Sequence, residues 1–174
     1  MEFLHIPKTG GTSVSKFLVS GSDGNNWSHY RASLIPEEKR NTVWSVIRNP
    51  YDRAISIALH ASRKPGQEIN KIQTAKMVKD YWLSDPYTSI HKAAQLALES
   101  PLTDYVADKG VVIIPHLVEF KDLPRFFESE FGIPLPHENP SARKRDYKEY
   151  YDEELFDYIS KRYADDIKLF NYEY

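Results

Sequence analysis

Lys8-Thr9-Gly10-Gly11-Thr12-Ser13 sets a cation, two glycines and three hydroxyls in succession, directly after the mainly apolar run Phe3-Leu4-His5-Ile6-Pro7. These residue types in this order suit the binding of an oxyanion. Glycine has no Cβ, so the chain at Gly10 and Gly11 can adopt φ values closed to other residues and come close to a ligand. Thr12 and Ser13 then open a helix whose first amides lack intrahelical acceptors and point outward. Lys8 adds a point charge and Thr9, Thr12 and Ser13 add hydroxyl donors, so several charge-assisted bonds of roughly 1.5–3 kcal/mol each can converge on one phosphate-like group.

The order of residues differs from the nucleoside-triphosphate loop, in which the lysine follows the last glycine and is itself followed by Ser or Thr. A strand ending in Asp, needed to hold Mg²⁺, is also missing: Val43–Ile47 runs into Arg48 and Val111–Ile114 into Pro115. A metal-dependent kinase or other phosphoryl transferase is therefore the disfavoured alternative, and no catalytic metal is expected.

A second anion site is carried by Arg48-Asn49-Pro50-Tyr51-Asp52-Arg53-Ala54-Ile55-Ser56. Arginine offers a planar fork suited to a phosphate. Ser56 follows about two helical turns into the next helix, at a spacing that lets both side chains face one ligand.

The elements that must position these residues alternate between strand and helix. Phe3–Ile6 reads as a short buried strand, and Val14, Phe17 and Leu18 recur at helical spacing after the loop. Gly21–Asn26 reads as a turn, Trp27–Ala32 as a second strand and Thr42–Ile47 as a third, stopped by Asn49-Pro50, with a helix from Pro50. Helices are expected over Ile69–Leu83 and Thr88–Leu98. Val111–Ile114, apolar and β-branched, is expected to be a strand buried on both faces of a parallel sheet, with Leu117–Phe120 extending or following it. Asp122–Phe131 reads as an amphipathic helix ended by Gly132, 134–145 as a loop, and Asp152–Phe170 as one long terminal helix. The pattern predicts an α/β fold, a P-loop-like three-layer sandwich with a small central parallel sheet flanked by helices, and a single domain over residues 1–174. In such sheets ligands bind at the carboxyl ends of the strands, where Lys8 and Arg48 both fall.

A net charge of −2 gives no general attraction to nucleic acid or membrane, so any basic site must be local. With no cysteine, disulfides and cysteine-based zinc sites are excluded. No apolar run approaches the roughly 20 residues needed to cross a bilayer, and the first strand starts almost at Met1. A soluble, cytoplasmic location is the expectation.

Together the two anion motifs resemble the sulfotransferases that use 3′-phosphoadenosine 5′-phosphosulfate. In that resemblance Pro7–Ser13 is similar to the 5′-phosphosulfate loop, and Arg48 to Ser56 to the 3′-phosphate motif. His5–Thr12, Leu117-Val118-Glu119-Phe120, Leu135–Asn139 and the ending Tyr163–Asp166 to Phe170-Asn171-Tyr172 look like the carbohydrate branch, in particular the heparan sulfate 2-O and 6-O types. The resemblance implies 3′-phosphoadenosine 5′-phosphosulfate as co-substrate, 3′-phosphoadenosine 5′-phosphate as product and a hydroxyl acceptor, a carbohydrate by analogy. Lys8, Thr9, Gly10, Gly11, Thr12, Ser13, Arg48 and Ser56 would hold the donor. Lys8 would stabilise the leaving phosphate oxygen, and His29 is the favoured base, since it lies where the heparan sulfate enzymes carry their catalytic histidine. Glu119 is the acidic alternative. His5 is expected to pack or orient the loop, and His60 to line the cleft, whereas His91, His116 and His137 are read as structural. Asn139, Ser141, Arg143 and Lys144 are candidates for donor or acceptor contact. A module that binds 3′-phosphoadenosine 5′-phosphate without catalysis is the other alternative.

Overall fold

The computed structural model describes residues 1–21, 26–61, 71–84, 92–135 and 146–174. In chain order it contains β1 (Glu2–His5), α1 (Gly11–Gly21), β2 (Asn26–Ser28), a 3-10 turn (Ala32–Leu34), α2 (Glu37–Arg40), β3 (Val43–Ile47), α3 (Pro50–Ala61), α4 (Lys71–Leu83) and α5 (Lys92–Glu99). Then follow α6 (Thr103–Val106), β4 (Ala107–Asp108), β5 (Val111–Val112), β6 (His116–Glu119), α7 (Leu123–Phe131), a 3-10 turn (Tyr147–Tyr150), α8 (Glu153–Arg162) and α9 (Ala164–Phe170). Contacts group the chain into two units, Met1–Arg48 with Pro101–Pro140, and Asn49–Ser100 with Ser141–Tyr174.

The first unit is built on a parallel sheet of order β2-β1-β3-β6. The central strands β1 and β3 are apolar because both of their faces are covered: Phe3, Leu4 and all of Val43–Ile47 are buried. One face meets α1 and α7 through Phe3, Trp44 and Val46 packed on Val14, Leu18, Leu123 and Phe127. Phe3 and Trp44 lie 4.6 Å apart between ring centroids, and Trp44 and Phe126 4.9 Å. The α/β class with a small parallel sheet flanked by helices is as the sequence predicts. Gly132 ends α7 as expected, at φ 67° with its amide on the Glu128 carbonyl.

Three sequence expectations are corrected. Val111–Ile114 is not a strand of the parallel sheet. Lys109 (φ 49°) and Gly110 (φ 77°) form a two-residue reversal that folds Val111–Val112 back on Ala107–Asp108 as an antiparallel ribbon, and Val111 is 64% exposed. The fourth parallel strand is the less hydrophobic His116–Glu119, in register with Trp44–Ile47. The terminal helix is also broken. Tyr163 leaves helical geometry (φ −111°, ψ 27°), and its buried hydroxyl donates to the Glu99 carbonyl at 2.9 Å. The second predicted strand is shorter than read, giving way after Ser28 to a turn at His29.

The second unit is helical. Tyr51, Ala54, Ile55, Ile57 and Ala58 of α3 pack with Val78 and Trp82 of α4 and Leu155 and Ile159 of α8. Asn49 caps α3, its Oδ1 accepting the Tyr51 amide at 3.0 Å and its carbonyl the Arg53 amide at 2.8 Å, with Pro50 in the first turn. Arg53, 1% exposed, donates to the Ser100 and Leu98 carbonyls and so closes the end of α5. Glu99 accepts from the Tyr81 hydroxyl at 2.6 Å and from Arg162 at 2.8 Å.

Candidate functional site

The loop between β1 and α1 takes its shape from two residues with positive φ, Lys8 (65°) and Gly10 (88°). Two internal bonds hold it: Thr9 Oγ1 donates to the Ile6 carbonyl at 2.9 Å, and the Ser13 amide to the Gly10 carbonyl at 3.1 Å. Thr9 is fully buried. Its hydroxyl, expected to face a ligand, ties the loop across its base instead, so its contribution toward an anion is through the backbone. Thr12 is exposed on the first turn of α1 and Ser13 is buried there.

The glycines are required for a reason the sequence did not disclose. A Cβ at Gly11 would lie 1.9 Å from His5 Cδ2 and 2.3 Å from His5 Nε2. At Gly10 it would lie 2.9 Å from the Phe120 ring, at a φ that L side chains rarely adopt. Both positions are therefore fixed by the protein's own packing, whether or not a ligand approaches the backbone.

Arg48 follows β3 and is 7% exposed. Its guanidinium donates to the Lys8 carbonyl at 2.9 Å and lies 4.2 Å from the centre of the Phe120 ring. One of the two residues expected to bind the ends of a ligand is thus fastened to the loop that carries the other. Phe120 was read from sequence only as part of the Leu117–Phe120 motif, and its stacking under Arg48 was missed, although it directly follows β6.

His29 stands just past β2 at φ 61°, its amide donating to the His5 carbonyl at 2.9 Å. Its ring meets His5 edge-on, 5.0 Å between centroids. Burial lowers the His29 pKa below the usual imidazole value. Burial first, then the neighbouring His29 and Lys8 charges, push His5 down to about 4, so His5 is neutral at pH 7. Among the described residues the non-glycine positions with positive φ are Lys8, His29, Lys109 and Asn171. The last two form a hairpin turn and a helix C-cap. Lys8 and His29 lie in the turns that follow neighbouring strands, the kind of position where strained backbone collects at functional sites.

Glu119, at the end of β6 opposite Ile47, is half-buried. Ser56 lies half-buried on α3 in the second unit, where His60 is exposed. His116 bonds the Asn41 carbonyl through Nε2 at 3.2 Å. His91, His137, Asn139, Ser141, Arg143 and Lys144 lie outside the described residues, as does much of the Leu135–Asn139 segment. Among the described residues no cluster of His, Asp and Glu suited to a metal is found, and no helix is long and apolar enough to cross a membrane.

No protein-family model, curated protein or solved structure matches the chain.

Proposed function

We propose that this protein is a sulfotransferase that moves a sulfuryl group from 3′-phosphoadenosine 5′-phosphosulfate to a hydroxyl of a carbohydrate. The reading rests on the motif resemblance, and the observation that carries it is the Arg48 bond to the Lys8 carbonyl at 2.9 Å. Two stretches read separately as anion sites meet at adjacent strand ends, which suits a ligand with anions on both sides of one ribose.

The residues present suit such a donor. Lys8, the outward amides at the start of α1 and the Thr12 and Ser13 hydroxyls supply positive potential and donors at one end. The Arg48 guanidinium, which also donates to the Lys8 carbonyl, supplies a planar fork for the 3′-phosphate. The donor supplies an activated sulfuryl group with a phosphate leaving group. Lys8 offsets the charge that develops on the leaving oxygen. His29, its proton affinity lowered by burial, is neutral at pH 7 and can accept the acceptor's hydroxyl proton. The protein's work is positioning and charge stabilisation, with no covalent intermediate required.

Calorimetric titration with 3′-phosphoadenosine 5′-phosphate, ATP and 5′-AMP tests the reading. Tightest binding of the compound with the 3′ anion, and a fall of about 10²–10³ in turnover for Lys8→Ala with unchanged melting, are expected. Equal affinity for 5′-AMP, or Mg²⁺-dependent ATP turnover, would overturn it. Binding of 3′-phosphoadenosine 5′-phosphate without donor consumption over a broad acceptor panel would identify a non-catalytic module.

A further inference from the structure

Between the anion loop and His29 stands one side chain to which neither role is assigned. The His5 imidazole occupies the space that a Cβ on Gly11 would need, at 1.9 Å from Cδ2 and 2.3 Å from Nε2. Its Nδ1 edge lies 3.5 Å from the Ser15 hydroxyl of α1. It stacks on Phe3 at 6.0 Å and meets the His29 ring edge-on at 5.0 Å. Its carbonyl accepts the His29 amide at 2.9 Å. A single residue thus touches the loop glycine, the first turns of α1 and both the backbone and the ring of His29.

We propose that His5 is a positioning residue whose imidazole sets the separation of the Gly10–Gly11 loop from His29 and holds one edge of the otherwise exposed His29 ring against it. This rests on the reading of His29 as base and of the loop as donor site. A histidine is well suited to the task. A planar ring fits beneath a glycine backbone, and a neutral one adds no positive charge between Lys8 and His29, the two titratable groups that face it. From α1 it meets the Gly11 backbone and the uncharged Ser15 hydroxyl.

The test compares the full chain with His5→Asn, which removes the outer ring atoms Cε1 and Nε2, and His5→Phe, which keeps a planar aromatic ring. The His29 titration is followed by NMR, alongside kcat, KM for the donor and 3′-phosphoadenosine 5′-phosphate affinity. In His5→Asn the His29 pKa is expected to rise toward 6.5, and kcat to fall about 10–100-fold with little change in donor KM, as for a reacting group displaced by about 1 Å. His5→Phe should return the His29 titration to its wild-type position and most of kcat. An unmoved His29 titration in His5→Asn overturns the proposal, as does a loss that falls on KM with kcat intact. If the wild type shows no turnover, the sulfotransferase reading fails, and the His29 titrations of the two variants still decide whether His5 sets its environment. If His5→Asn does not fold, a His5→Phe protein with wild-type His29 titration supports the proposal, and one with the titration shifted to 6.5 refutes it.

Discussion

Gly11→Ala tests the geometry from which the candidate site is built. Ordinary contact between carbon atoms begins near about 3.5 Å, so a methyl placed 1.9 Å from His5 Cδ2 requires the imidazole edge to retreat by about 1.5 Å. Phe3, Ser15 and His29 bound the ring and limit that movement. Overpacking of this kind costs about 1–3 kcal/mol, and replacing glycine by alanine in a helical first turn returns about 0.5–1 kcal/mol by restricting the unfolded chain. The expected net destabilisation is about 1–2 kcal/mol, a fall of roughly 2–8 °C in melting temperature for a chain of this size. His5→Ala removes the opposing ring, so the double variant should be more stable than the sum of the single effects by about 1–2 kcal/mol. Urea unfolding of the four proteins measures this directly. A Gly11→Ala protein as stable as wild type, or a double variant additive to within about 0.5 kcal/mol, would refute the packing and the positioning role argued from it.

Other outcomes follow from the same coordinates. Arg48→Lys keeps the charge but loses the planar donor to the Lys8 carbonyl and the stacking on Phe120; it should destabilise by about 1–2 kcal/mol in thermal melts and weaken the preference for 3′-phosphoadenosine 5′-phosphate over 5′-AMP. His5 titrates at about 4 in the folded chain against 6.5 unfolded, so the unfolded state binds more protons between those values. Its contribution is complete above pH 6.5 and is lost as pH falls toward 4, about 3 kcal/mol in all, with the lowered His29 acting in the same direction. Unfolding midpoints at about pH 4.5 and 7 should therefore differ less in His5→Phe than in wild type. Arg53→Met leaves the Leu98 and Ser100 carbonyls without their buried donor and should lower stability by about 2–3 kcal/mol in denaturant titrations.

The sequence by itself determined the βα start, the Lys8 loop, the Arg48 strand end, the helix from Pro50 and the Gly132 stop. Each rests on residues close in the chain: glycine, proline and β-branched types constrain their own backbone, and a strand end followed by a helix start is a local pattern. The placement of Val111–Val112 and the break at Tyr163 were decided elsewhere. The first depended on which apolar segment finally paired with β3, and hydrophobicity alone chose the wrong one, although Lys109-Gly110 carried a turn signal. The second depended on a hydroxyl reaching a carbonyl 64 residues away, while the helical period ran on unbroken. The same division holds at the candidate site. Lys8 and Arg48 could be named from type and spacing, and His29 from the family resemblance alone. The imidazole filling the place of the Gly11 Cβ, the inward turn of the Thr9 hydroxyl and the Arg48–Phe120 stack could not, because steric exclusion and burial exist only once distant segments occupy the same space.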